Sequence, residues 1–314
     1  MTAVSLRPVL WTALSLGVVL LIGQNFAKGG ALTPAAILFG FWLVMWTANS
    51  TLANRPVPPG WERPRRIAVA TFFGLTLLTL WQGVVRLFDV PSVILPAPSD
   101  IGARFMESLP MIWGDLVQTL LKGALGGWLI GAVAAVATAI AIDRSSFLQR
   151  GLMPIGNFVA ALPIVGIAPI MVMWFGFDWQ SKAAVVVVMV FFPILVNMVA
   201  GLSTTDALQR DQMATWSAGY WQSLAKLRLP AAMPFLFNGL KITTTLALIG
   251  AIVAEFFGSP TRGMGFRIST AVGQMDLALV WAEILMAAIA GSLFYGLIAL
   301  LGGRVTFWHP SQRR

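Results

Sequence analysis

Apolar positions in this chain neither alternate nor keep to one helix face. They come in long unbroken blocks separated by short charged segments. A helix rising about 1.5 Å per residue needs roughly 20 apolar residues to cross about 30 Å of hydrocarbon. Eight blocks meet that length, at about 8–26, 31–50, 67–88, 116–142, 151–176, 183–204, 231–257 and 279–303. The pattern predicts an all-α integral membrane protein with about eight transmembrane helices. The first block, preceded by Arg7, also fits a signal peptide, but Asn25-Phe26-Ala27 is a poor cleavage site and a second block follows at once. It is read as a helix. Residues 51–66, TLANRPVPPGWERPRR, are too polar and proline-rich for lipid. They divide two N-terminal helices (1–50) from the remaining chain (67–314) as a linker on the cytoplasmic side.

Composition strengthens this reading. The chain is 58% hydrophobic and 11% charged, against roughly 25% charged residues in soluble domains. Its net charge of +9 would point to nucleic acid in a soluble protein, but the basic residues cluster at the ends of apolar blocks. They read as topology signals and contacts to anionic lipid, with no nucleic-acid partner. If both termini are cytoplasmic, that side carries fourteen of the 21 cations. The other side keeps Lys28, Arg86, Arg104, Lys122, Lys182, Arg262 and Arg267. Cations are expected to concentrate on the cytoplasmic side.

Several chemistries are missing. With no cysteine and one histidine, His309, thiolate metal sites and an HExxH zinc site are excluded. None of the five lysines is followed by Ser or Thr, so there is no phosphate-cradling P-loop, and GxSxG does not occur. The chain is not expected to be an enzyme or to bind a cofactor or metal. Its acids fall near block ends; Glu255 and Glu283 come closest to being buried, with interfacial placement or a substrate cavity as the two readings. Gly123, Gly127, Gly131, Ala135 and Ala139 set a small residue at every fourth position, a face for close helix packing. Prolines 154, 163 and 169 break up block 151–176, and Pro193 with Asn197 marks a second kink. A broken helix is either a structural kink or the lining of a translocation path. On the second reading the candidates are Asn157, Pro163, Met171, Trp174, Asn197 and Glu255.

One segment lacks the hydrophobicity of its neighbours: DQMATWSAGYWQSLAKLRLP, residues 211–230. It resembles the "EAA" loop of permease subunits in ATP-binding-cassette importers, Glu-Ala-Ala, three residues, Gly, nine residues, Ile, one residue, Leu-Pro. Asp211 stands for the Glu, Gln212 and Met213 for the alanines, Ser217 for the Gly and Leu227 for the Ile; Leu229-Pro230 match outright. LPAPSDI (95–101), ALPIVGIAPIMVMWFGF (161–177), FFPILVN (191–197) and AEFFGSPTRGMGF (254–266) are similar to the nitrate, sulfonate and taurine branch of that family. The likeness spans about residues 90–310.

The resemblance implies a six-helix type I importer permease core with two extra N-terminal helices in the bacterial inner membrane. The implied partners are a second permease copy, two cytoplasmic ATPase subunits that bind the ATP and Mg, and a periplasmic substrate-binding protein. It implies that loop 205–230 folds as two short helices docking into the ATPase, through Asp211, Trp216, Ser217, Ala218, Gly219, Tyr220, Trp221, Leu229 and Pro230. Trp216, Tyr220, Trp221 and Leu224 recur at helical spacing as an apolar face. An interfacial helix lying on lipid is the alternative. Gly219 is the residue expected to supply the positive φ that Ser217 does not favour. By resemblance the solute is a small heterocycle or other organic solute, such as a pyrimidine precursor or riboflavin. Nitrate, taurine and alkanesulfonates are the alternatives within the class, and an ion-coupled secondary transporter the alternative outside it.

Overall fold

A computed structural model describes residues 32–309 apart from 55, 59, 161, 259 and 260, and the side chains at 32, 33, 146, 149, 153, 157, 158 and 160 fall outside that description. Block 8–26 therefore lies outside the described residues. Among the described residues all regular structure is helical, and six helices are long and apolar enough to cross a membrane. The helices are α1 (Leu32–Asn54), α2 (Glu62–Leu87), α3 (Pro98–Glu107), α4 (Leu109–Arg144), α5 (Ser146–Ala160), α6 (Ile164–Phe175), α7 (Trp179–Leu202), α8 (Ala207–Thr215), α9 (Tyr220–Gly258), α10 (Met264–Gly273) and α11 (Leu277–Val305).

Three expectations change. Block 151–176 is not one spanning helix but α5 and α6, separated at Pro163, whose ψ of 118° is extended. Proline disfavours helical geometry in the residue before it and offers no N–H to the preceding turn. At about 1.5 Å per residue, the twelve residues of α6 fall short of the hydrocarbon thickness. Pro193 has no such effect, since α7 runs through it unbroken. The 51–66 linker is also shorter than its composition implied, because α1 continues to Asn54 and α2 begins at Glu62.

The chain forms two compact units, divided after Arg104. In the first, α1 and α2 pack together, and the start of α3 is tied to α2. Gln82 and Ser99 exchange two hydrogen bonds of 3.0 Å, and Arg86 pairs with Asp100.

In the second unit α7 is the central helix, packed most extensively on α9 and next on α4. Its buried positions, including Val186, Val190, Ile194 and Met198, recur along its length. The small-residue face of α4 lies against it as expected. A Cβ at Gly127 would stand 2.6 Å from Ala183 O and 2.9 Å from Ala183 Cα, and one at Gly131 would stand 2.4 Å from a Val190 methyl. Backbones this close leave no room for a side chain, which is why small residues drive helix association where lipid removes the hydrophobic gradient. Trp128 of α4 adds a hydrogen bond to Thr243 of α9, 3.0 Å, and an edge contact with Phe294 of α11.

Gly127→Leu is therefore expected to destabilise the protein by roughly 1–3 kcal/mol or more through overpacking. Gly126→Ala, with nothing within 4 Å of its Cβ, is expected to be silent. Thermal unfolding of the detergent-solubilised protein followed by size exclusion separates the two.

Candidate functional site

The segment joining α7 to α9 is built by local rules. Thr205 is buried, and Arg210 folds back on it, donating to its carbonyl at 2.7 and 3.2 Å and to its hydroxyl at 3.1 Å. Asp206 and Gln209 then start α8 with a reciprocal capping box, each side chain accepting from the other's backbone N–H. The helix stops with two bonds, Ser217 N–H to Ala214 O at 2.8 Å and Ala218 N–H to Met213 O at 3.0 Å. These are the paired bonds of a Schellman termination, which needs a left-handed residue at its turn. That residue is Ser217, φ 53°. Gly219, expected to take this role, has φ −68° and starts the next helix instead. The strain thus falls on a residue with a Cβ, at roughly 1–2 kcal/mol.

Tyr220 opens α9. Between Leu224 and Arg228 the helix widens into a π turn, with Leu229 N–H reaching Leu224 O. Pro230 follows directly and has no N–H for the carbonyl four residues back, and such widened turns accommodate a displaced register.

The aromatic face expected over Trp216–Leu224 is split in two. Tyr220 and Leu224, one turn apart, face inward: Leu224 is buried in the main core, Tyr220 packs against that core, and the Tyr220 hydroxyl donates to Asp143 Oδ2 at 2.9 Å. Trp216 and Trp221 stay 67% and 60% exposed, as does Leu208 at 80%. Adjacent residues on a helix point about 100° apart, so Tyr220 and Trp221 cannot share a face. A concave pocket of about 430 Å³ opens at Trp216, lined also by Gln209, Gln212, Met213, Gln222 and Lys226. Asp211 lies exposed on α8. Leu229 packs against the main core.

The residues proposed for a translocation path are drawn from α5, the break before α6, α6, α7 and α9. Asn157 has its side chain outside the described set, and Pro163 ends the break before α6. Met171 packs beside Ala168, Val185 and Ala254, whereas Trp174 is 71% exposed. Asn197 donates to Pro193 O at 2.8 Å and accepts from Asn238 at 3.2 Å.

Glu255 and Glu283 are both buried within the protein. Glu255 accepts from Thr119 Oγ1 at 2.9–3.0 Å and from Gly265 N–H at 2.9 Å. Thr119 in turn accepts from Met264 N–H, and Asp115 accepts from Gly263 N–H and Arg267 Nε, both at 2.8 Å. Gly263 has φ 124°, and a Cβ there would sit 2.5 Å from the Glu255 carboxyl. Glu283 lies against Asp115 with no donor reaching either oxygen. Asp115 and Thr119 of α4 and Glu255 of α9 thus lash the start of α10 onto those two helices. Asp115 carries little signal along the chain, because its partners lie about 150 positions away. Lys182, counted above as an outer-surface cation, is buried too, donating to the carbonyls of Phe177, Asp178 and Gly258.

The fold and this loop define a multi-pass helical membrane protein that presents an ordered, aromatic-tipped loop between two of its central helices. Residues 127–307 match the model of the binding-protein-dependent transport system inner membrane component, and the chain belongs to that family. It is thus a transport permease rather than an enzyme. It is 32% identical over 72% of its length to a "Probable ABC transporter permease protein" of Haemophilus influenzae, covering 91% of that protein. It is 30% identical to the "Riboflavin transport system permease protein RibX" of Chloroflexus aurantiacus, over 76% of this chain and 88% of that one. More distant relatives carry the names of aliphatic sulfonates and taurine. A chain of the MetNI methionine ABC transporter, in inward-facing form, shares the fold with a TM-score of 0.52 and 19% identity, over 63% of this chain and 95% of that one.

Ser217→Gly is expected to hold or raise thermal stability, because glycine takes the left-handed conformation freely. Ser217→Val should lower it, since a branched side chain is a strong outlier there. Melting temperatures of the two purified variants check the assignment of the turn.

Proposed function

We propose that this permease moves a small organic solute across the inner membrane by alternating access, driven by a separate ATPase subunit that docks on loop 205–230. The observation that carries the reading is the division of the loop. Tyr220, Leu224 and Leu229 bind it to the chain's own core, and Trp216, Trp221 and Leu208 are left facing outward. Trp216 at a pocket edged by glutamines and Lys226, with Trp221 also exposed, suits a mixed protein surface better than acyl chains. Aromatic anchors of this kind dominate protein interfaces.

The full assembly in this reading holds a second copy of the chain, two ATPase subunits carrying ATP and Mg, and a periplasmic binding protein that delivers the solute. The loop and both termini are cytoplasmic. The named riboflavin relative supports a heterocyclic solute, as does the wording of FFPILVN and AEFFGSP. Taurine and alkanesulfonates remain the competing solutes, because relatives carry those names as well.

Trp221→Ala is expected to lower co-purification of the ATPase and ATP-driven uptake together, by roughly 10-fold or more for an interface hot spot, with the helices still inserted. Normal co-purification and uptake in that variant would sink the docking assignment. Loss of binding to phosphatidylglycerol vesicles with no effect on the ATPase would identify the loop as a lipid-surface helix. Uptake of labelled riboflavin against labelled taurine in the same vesicles decides the solute class.

A further inference from the structure

The docking reading leaves open how motion of the loop reaches the membrane helices. By covalent connection the loop touches only α7, through Leu202, and α9, which grows out of it. Asp143 of α4 lies 77 and 85 positions away from Tyr220 and Arg228, yet its carboxylate meets both. Asp143, in the last turn of α4, is gripped by both terminal nitrogens of Arg228. Nη1 reaches Oδ2 at 2.7 Å, and Nη2 donates to Oδ1. Tyr220 donates to the same Oδ2 at 2.9 Å.

Arg228 does a second thing with the same fork. Its Nη2 and Nε donate to Leu202 O at 3.1 and 3.3 Å, capping the C-terminal end of α7. Next to Asp143, the Arg144 guanidinium lies 5.6 Å from the Tyr220 ring centre and 5.8 Å from that of Trp221. The Arg228 and Asp143 side chains are 17% and 12% exposed, so solvent and salt screen the pair little. A bidentate, planar pair resists rotation as well as separation. Helix α4 is in turn seated on α7 at Gly127 and Gly131, so a displacement handed to it at Asp143 has a stiff path onward.

We infer that Asp143 is a positioning residue that passes movement of the loop to α4. This rests on the docking of an ATPase to the loop, and the test keeps the two apart. The chain has no cysteine, so a single nitroxide label can be placed at Ile130→Cys on α4 or at Ile249→Cys on α9, both half-exposed. The complex of the full chain with its co-purifying ATPase is examined with and without ATP and vanadate.

In the parent chain ATP is expected to alter the label spectra at both positions. In Asp143→Asn the change at 130 is expected to vanish while that at 249 persists and the ATPase stays bound. Coupling free energies between sites set the scale for uptake per ATP hydrolysed, which should fall roughly 5- to 150-fold. The swapped pair Asp143→Arg/Arg228→Asp is expected to recover the change at 130. Persistence of both changes in Asp143→Asn overturns the inference while docking stands, and so does loss of both together with the ATPase still bound. Failure of the parent chain to retain the ATPase at all refutes the docking reading instead. Should the swapped pair fail to insert, Tyr220→Phe, which removes one hydroxyl, decides. A smaller ATP-dependent change at 130 upholds the inference, and an unaltered one overturns it.

Discussion

The approach of α4 to α7 at Gly127 and Gly131 is the contact on which the rest of the second unit depends. Inside a bilayer the burial of apolar side chains gains little over their exposure to lipid, so helices associate by close packing and by polar contacts. Here the backbone of α7 sits within van der Waals reach of the Gly127 position. That proximity centres α7 between α4 and α9. Because α8 and the start of α9 leave from the end of α7, the same packing also fixes where the loop emerges. It brings the end of α4 beneath the loop as well, where Asp143 meets Arg228.

The polar groups inside this unit serve the backbone. Helix ends and breaks leave unpaired N–H and C=O groups, and a membrane protein must satisfy them internally. Lys182 gathers three carbonyls where α6, α7 and α9 end or begin, and Arg228 takes the terminal carbonyl of α7. Asp115, Thr119 and Glu255 receive successive N–H groups at the entry to α10. Lys182, Arg228, Asp115 and Glu255 are thereby engaged in holding helix ends together.

Six of the eight apolar blocks and the small-residue face of α4 were legible in the chain because each is a local pattern. So was the loop, whose polarity and spacing set it apart from its neighbours, and the family match over residues 127–307 agrees with the resemblance. What the sequence hid depends on contacts between distant positions. Nothing within reach of Ser217 along the chain says that it, rather than Gly219, takes the left-handed turn. The aromatic spacing at 216–224 gives a face but not which half of it the protein keeps for itself. Glu255 near the end of an apolar block reads equally as interfacial or as cavity-lining until Thr119 and Gly265 are placed beside it. The break at Pro163 was visible as a proline, but whether it kinks or divides the helix depends on the backbone it interrupts.

The central claim is that this chain moves solute only when an ATPase acts on it through loop 205–230. Its most direct test is uptake into proteoliposomes holding the permease, its ATPase and its binding protein, with ATP supplied on the side of the loop and ion gradients collapsed. The account predicts uptake that requires ATP and the ATPase subunit and is indifferent to the gradients. Uptake that continues without the ATPase, and that follows an imposed ion gradient, would contradict it.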